Sequence, residues 1–177
     1  MDKRARAMRI VNISLSIAIV LMVILLIVLL CVISPMQIVG ESMYPTLHEG
    51  DRVWVQRVGY ELHYGDVVVF ERPDSKAPPI KRILAMEGDV IRFDAERGCW
   101  FRNGVRVEEP YLAPTLQYIE EYMAQTPQNL RDQLLGSGVT VGEGELFVLG
   151  DNRNNSYDSH NYGCIRIDWL KGKAKVA

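Results

Sequence analysis

Cys99-Trp100-Phe101-Arg102-Asn103-Gly104-Val105-Arg106-Val107 reads as two short strands joined by a two-residue turn. Asn-Gly suits the tight hairpin turn whose two central residues take positive φ, and the flanking residues favour extended chain. The same texture runs outward in both directions. Upstream, Asp51 to Val58, Val67 to Phe70, Ile80 to Ala85 and Val90 to Phe93 are short apolar or alternating runs. Turn signals at Gly65-Asp66 and Glu87-Gly88-Asp89 and a Pro-rich loop from Pro73 to Pro79 separate them. Downstream, Glu145 to Leu149 returns to strand. Strands at this spacing, without helical patterns between them, predict a mostly antiparallel β domain. Ala113 to Gly138 is the exception. Thr126-Pro127 reads as an N-cap followed by proline at the first helical position, and Gly136 as a stop after Leu134-Leu135. One or two short helices, inserted at the surface, are expected there.

The N-terminal end has a different texture. From Leu15 to Ile33, 19 consecutive residues contain Ser16 as the only polar one. That run matches the ~20 residues that span a hydrocarbon core. Lys3, Arg4, Arg6 and Arg9 precede it, which by the positive-inside bias keeps the N-terminus cytoplasmic. A cleaved signal peptide would have a shorter apolar region and an Ala-x-Ala-like site after it, whereas Ser34-Pro35-Met36-Gln37 follows here. The expected organisation is a cytoplasmic basic segment (1–9), a single transmembrane anchor (10–34) and an extracytoplasmic domain (35–177). Beyond residue 9 the chain carries 16 Lys and Arg against 21 Asp and Glu, a balance that gives no support for nucleic-acid binding. Of the three cysteines, Cys31 lies in the apolar run, and Cys99 and Cys164 lie outside it, where pairing is open. No zinc-like spacing is present, and no metal or other cofactor is expected.

Three stretches carry candidate chemistry. Gly40-Glu41-Ser42-Met43-Tyr44-Pro45-Thr46-Leu47 is punctuated by Gly40 and Pro45, so it should be a bent segment that presents the Ser42 hydroxyl beside backbone N–H groups. In a strand, Lys81 shares a face with Ile83 and Ala85, while Ile80, Arg82 and Leu84 share the other. Apolar surroundings disfavour the charged amine and make it a competent general base; an edge-strand lysine would instead run out to solvent. Gly150-Asp151-Asn152-Arg153-Asn154-Asn155-Ser156-Tyr157-Asp158-Ser159 is a polar loop. In it Ser156 could orient the lysine amine, and Asp151, Arg153, Asp158 and Arg82 could form ion pairs that fix the loop.

Together these stretches resemble bacterial type I signal peptidases. The match runs through Ser42 to Leu47, then Lys81-Arg82 followed by Glu87-Gly88-Asp89, then Gly150 to Ser159. Gly50-Asp51, Gly65-Asp66-Val67-Val68, Glu109-Pro110-Tyr111-Leu112 and Gly172-Lys173-Ala174 add to it, in the family's order behind an anchor. The resemblance implies a membrane-bound serine endopeptidase on a mostly antiparallel β fold. It would cleave signal peptides from secretory preproteins at the face of the lipid bilayer. Ser42 would be the nucleophile, Lys81 the general base, Ser156 the serine that orients the lysine and Asp158 a structural acid. Gly40 stands at the family's second oxyanion position, where only its backbone can donate. Ile38, Val39, Met43, Leu47 and Ile80 align with segments that line shallow pockets for small residues, consistent with Ala-x-Ala before the cut. Three departures stand out. His160 replaces arginine after Asp158-Ser159, which is expected to weaken an ion pair with Asp158. Proline is missing before Gly88-Asp89, and Arg166 replaces a proline after Gly163.

Two other readings compete. A serine hydrolase with a histidine base would use His48, His63 or His160. A membrane-tethered binding module on the same fold would have lost catalysis altogether.

Overall fold

The computed structural model describes residues 3–113, 118 and 122–176. The chain divides into two compact units, Met1–Ser34 and Pro35–Ala177. The first is dominated by helix α1, Lys3–Val32. Within it the 21 residues Met8–Val28 are long and apolar enough to cross a membrane, and none of that stretch is buried. At 1.5 Å per residue they rise roughly 30 Å, the thickness of a hydrocarbon core.

From Ile33 onward the strands form two mostly antiparallel sheets. The larger has seven strands in the order β1-β2-β11-β3-β4-β9-β10. These are Ile33–Gln37 (β1), Arg52–Gln56 (β2), Val67–Phe70 (β3), Ile80–Met86 (β4), Glu145–Leu149 (β9), Ile165–Arg166 (β10) and Leu170–Lys175 (β11). The smaller runs β7-β6-β5-β8, with Val90–Asp94 (β5), Cys99–Arg102 (β6), Val105–Arg106 (β7) and Val139–Thr140 (β8). The hairpin read from the sequence is present: Phe101 pairs with Arg106 and Arg102 with Val105. Asn103 and Gly104 both have positive φ, 53° and 77°.

Strand β11 carried no legible strand signal, yet it lies between β2 and β3. Gly172 lets it do so, because a Cβ there would run into the Gln56 carbonyl of β2. The ladder to β3 is irregular between Leu170 and Gly172. Helix α2, Gln128–Leu135, starts one residue after the expected point, with Pro127 at the N-cap, and Gly136 stands at its C-cap. The expected surface placement needs correction. Tyr122 and Met123, on a 3-10 turn (Tyr122–Gln125), and Leu134 on α2 are buried with Phe93, Trp100 and Phe147 in one apolar cluster. The insertion therefore completes the core over the smaller sheet. Residues 114–117 and 119–121 of it lie outside the described residues. Cys99 and Cys164 are free thiols, and burial pushes Cys164 up to about 12.

Candidate active site

Ser42 stands on a bent segment fixed from both sides. Ile38 N–H donates to the Asp51 carbonyl at 2.8 Å, and Gly50 N–H returns a bond to Ile38 at 3.0 Å. Turn bonds from Tyr44 to Glu41 and from Leu47 to Met43, both 3.0 Å, shape the interior of the segment. Gly40 has φ +79°, a conformation that favours glycine. Ile38, Met43 and Leu47 are 2%, 1% and 6% exposed and sit in one apolar cluster with Ile80. They root the turn, and Ser42 projects from it.

The polar loop grips this turn from below. Asn152 N–H donates to the Ser42 carbonyl and Asn152 Nδ2 to the Glu41 carbonyl, each at 3.0 Å. Gly150 ends β9 directly against both serines, since a Cβ there would collide with the Ser42 carbonyl oxygen and with Ser156 Oγ. Any side chain at Gly150 would push these two groups apart.

Lys81 Nζ donates to Ser42 Oγ at 2.7 Å. Lys81 is 4% exposed, on a strand hydrogen-bonded to β3 on one side and β9 on the other. An edge-strand route to solvent is therefore closed. Burial pushes the Lys81 amine below the ordinary lysine range; Asp158 and Asp151 pull the other way, and Arg72 adds to the depression. Ser156 Oγ is buried and, among the described residues, meets no partner at full hydrogen-bond geometry, although it lies close enough to Asp158 to help lower that carboxyl. The expected bond from Ser156 to Lys81 is thus not made in this state, in which Nζ is engaged with Ser42.

Asp158 is fully buried at the N-cap of α3, Ser159–Tyr162. Its Oδ2 accepts Gly150 N–H at 2.9 Å, which ties it to the strand end beneath the two serines. Its Oδ1 lies 2.6 Å from His160 Nδ1. Burial alone would raise the carboxyl, but the hydrogen bond and charge of His160, with Gly150 N–H, hold it below the usual carboxylate range. His160 keeps a direct contact with this carboxyl in place of the family's arginine. The imidazole also stacks on Tyr122 of the insertion, centroids 4.5 Å apart.

Two buried ion pairs brace the loop. Arg82 binds Asp151 through two parallel bonds, Nε to Oδ1 at 2.8 Å and Nη2 to Oδ2 at 2.6 Å. Arg153, 1% exposed, pairs with Glu109 and donates to Tyr118 Oη at 2.6 Å. Glu109 is a partner that sequence reading did not identify. The other departures are accommodated as well. Glu87, at the place of the missing proline, accepts Gly144 N–H at 3.0 Å, and exposed Arg166 bonds Asp168 at 3.0 Å.

Ser42 and Lys81 open into a cleft of about 440 Å³ whose walls include Val39, Ile80, Pro79, Tyr157 and Tyr162. Of the five residues expected to line substrate pockets, Val39 and Ile80 line this cleft. Ile38, Met43 and Leu47 are instead buried in the apolar cluster beneath the turn. Val39 is 76% exposed beside buried Ile38. Neither His48 nor His63 lines the cleft; both are mostly exposed and sit beside Asp51 and Asp66. Arg72 also faces the cleft, and nothing in its sequence context had marked it.

The family model for signal peptidase, peptidase S26, matches residues 10–177. The chain belongs to this family. It is 38% identical over 148 residues to signal peptidase IB of Staphylococcus aureus, covering 80% of this chain and 75% of that protein. It is 37% identical over 147 residues to signal peptidase I T of Bacillus subtilis, covering 80% and 71%. The structure of a signal peptidase I from Enterococcus faecalis superposes with a TM-score of 0.50 at 28% identity, covering 64% of this chain and 96% of that one. As a member of the signal peptidase family, the chain is a hydrolase of the serine protease class, and its apolar N-terminal helix accords with membrane association.

Proposed function

We propose that this signal peptidase cleaves secretory preproteins with Ser42 as nucleophile and Lys81 as general base. What supports the reading is the 2.7 Å hydrogen bond between Lys81 Nζ and Ser42 Oγ, made by a lysine that burial holds toward its neutral form. Neutral Lys81 takes the hydroxyl proton as Ser42 Oγ attacks the scissile carbonyl. The ammonium so formed gives its proton to the leaving amine, and Lys81 then activates water against the acyl-enzyme. When Lys81 is charged, buried Ser156 Oγ, which can turn its own proton to Asp158, accepts one of the ammonium protons in a hydrogen bond. Asp158 braces Gly150 beneath both serines rather than touching the reacting atoms. The developing oxyanion is stabilised by the Ser42 N–H, with the Gly40 backbone as second donor.

Val39 and Ile80 leave room beside Ser42 for small side chains, in keeping with an Ala-x-Ala preference. The N-terminal helix spans the bilayer once, with residues 1–9 in the cytoplasm and 35–177 outside, where exported precursors emerge. The test is cleavage of an Ala-x-Ala precursor by Ser42→Ala, Lys81→Ala and Lys81→Arg, each checked for folding by thermal unfolding. All three should be inactive, the last because guanidinium does not deprotonate. Substantial turnover by any of them contradicts the assignment.

A further inference from the structure

The wall of the Ser42 cleft carries a charge that, beyond its effect on the Lys81 amine, faces the space a substrate would fill. Arg72 follows β3 by two residues, and its guanidinium lies 3.9 Å from the Tyr162 ring centroid and 5.1 Å from that of Tyr157. Both rings are cleft residues. Asp74 holds the outer edge through both its oxygens, with Nη2 donating to Oδ2 at 2.8 Å and Nε 2.5 Å from Oδ1. The Arg72 side chain is 10% exposed and that of Asp74 68%, so water screens the carboxylate far better than the guanidinium. Nη1 is buried and has no hydrogen-bond partner among the described residues. Arginine keeps its proton in proteins, so this charge is permanent. Among the described residues lining the cleft, Lys81 and Arg72 are the cationic ones, and there is no Asp or Glu. Arg72 is a fixed charge on the wall that a bound peptide meets, whatever the protonation of Lys81.

We propose that Arg72 is a specificity-determining residue, one that makes the cleft favour peptides with a carboxylate side chain close to the scissile bond and disfavour those with lysine or arginine there. The inference rests on Ser42 as nucleophile, because that assignment makes this cleft the substrate site. The cleft holds only a few residues of extended chain, at about 3.3 Å each. A charged side chain within two or three residues of the cut therefore lies within about 10 Å of the guanidinium, inside the screening length at moderate salt. The rings of Tyr157 and Tyr162 and the Asp74 carboxylate fix the guanidinium beforehand, so little ordering remains to be done when substrate binds.

The experiment uses the full-length enzyme in detergent and Ala-x-Ala peptides carrying a single Glu, Gln or Lys. The substituted positions are two before the cut and one, two and three after it. At low salt the Glu peptide should exceed the Lys peptide in kcat/KM by about tenfold at one or more positions, as expected of unit charges in a partly dry cleft. The Gln peptide should fall between, and the ratio should shrink as salt rises. Arg72→Gln should bring the ratio near one, whereas Arg72→Lys should keep part of it. The ratio is the readout, so a loss of rate common to all peptides does not enter it. Equal rates for Glu and Lys peptides at every position, or an unchanged ratio in Arg72→Gln, overturns the inference. Failure of the unsubstituted enzyme to cleave even the Gln peptides overturns the Ser42 reading instead. Asp74→Asn gives a second arm should Arg72→Gln not fold. Removing that carboxylate should widen the ratio, and a narrowed ratio would overturn the inference too.

Discussion

Gly150→Ala is the substitution that most sharply separates a built site from a chance meeting of serine and lysine. A Cβ at Gly150 would stand 2.6 Å from Ser156 Cβ and still closer to Ser156 Oγ and the Ser42 carbonyl oxygen. Carbon atoms rest about 3.5–4.0 Å apart, so one side must yield by roughly 1 Å. The far side is closed, because Gly150 N–H is bonded to fully buried Asp158 and β9 is hydrogen-bonded to β4. Ser42 and Ser156 are then the groups that move. A 1 Å misplacement of a reacting group can cost about 100-fold in rate. Overpacking of this kind typically costs 1–3 kcal/mol, about 2–4 °C per kcal/mol for a chain of this length. The assay is kcat/KM on an Ala-x-Ala peptide at a temperature well below unfolding, with a thermal melt alongside. A variant that melts only a few degrees lower yet loses about 100-fold in kcat/KM bears out the geometry. Near-normal activity would refute the argument that Gly150 sets the position of Ser42.

Other substitutions probe the supports separately. Lys81→Met should abolish activity yet raise the melting temperature at neutral pH. The folded-state pKa of Lys81 is depressed, so below the unfolded value of ~10.4 the unfolded chain binds the extra proton, and that penalty is present until pH rises through this range. The gain in melting temperature should therefore narrow as pH approaches 10. Arg82→Gln leaves Asp151, whose side chain is 0% exposed, without its ion pair. A loss of about 3–5 kcal/mol in chemical denaturation is expected. Asp158 works the other way from Lys81. Its carboxylate is held below the usual range, so its stabilisation should be lost as pH falls below about 4, and Asp158→Asn should flatten that acid limb of the stability curve.

Much of this architecture was legible because it rests on local signals. Asn103-Gly104 demanded its turn, and the runs at Val67–Phe70, Cys99–Arg102 and Glu145–Leu149 are strands with the bounds read from the sequence. Strand β11 was not legible, because Leu170-Lys171-Gly172-Lys173-Ala174-Lys175 offers lysine at every second position. Its place between two strands follows from what it lacks, a side chain at Gly172 and bulk at Ala174. The helical insertion was visible as a break in the strand pattern, but not its burial, which depends on aromatic partners some 30 residues upstream at Phe93 and Trp100.

In the site, the apolar neighbours of Lys81 allowed its burial but equally an edge-strand route to solvent, and the partners of the loop charges were less legible still. Arg82 finds Asp151, as the motifs allowed, but Arg153 finds Glu109, 44 residues away in sequence. The pocket residues show the limit of alignment by segment. A stretch can line a pocket while half its side chains, here Ile38, Met43 and Leu47, turn into the core. Arg72 carried no signal at all, since an arginine beside a Pro-rich loop is ordinarily a solvated surface residue.

In the proposed mechanism Lys81 is neutral when Ser42 attacks, and its charge can be measured on the lysine itself. Enzyme carrying ¹³C at lysine Cε would be titrated by NMR, with the Lys81 signal assigned from its absence in Lys81→Met. The same preparation would supply the pH profile of kcat/KM. The Lys81 signal should titrate below the ordinary lysine value of ~10.4, at the same pH as the acidic limb of the rate profile. A Lys81 signal that titrates at the ordinary value, or an acidic limb that stays in place while the Lys81 titration lies elsewhere, would contradict the mechanism.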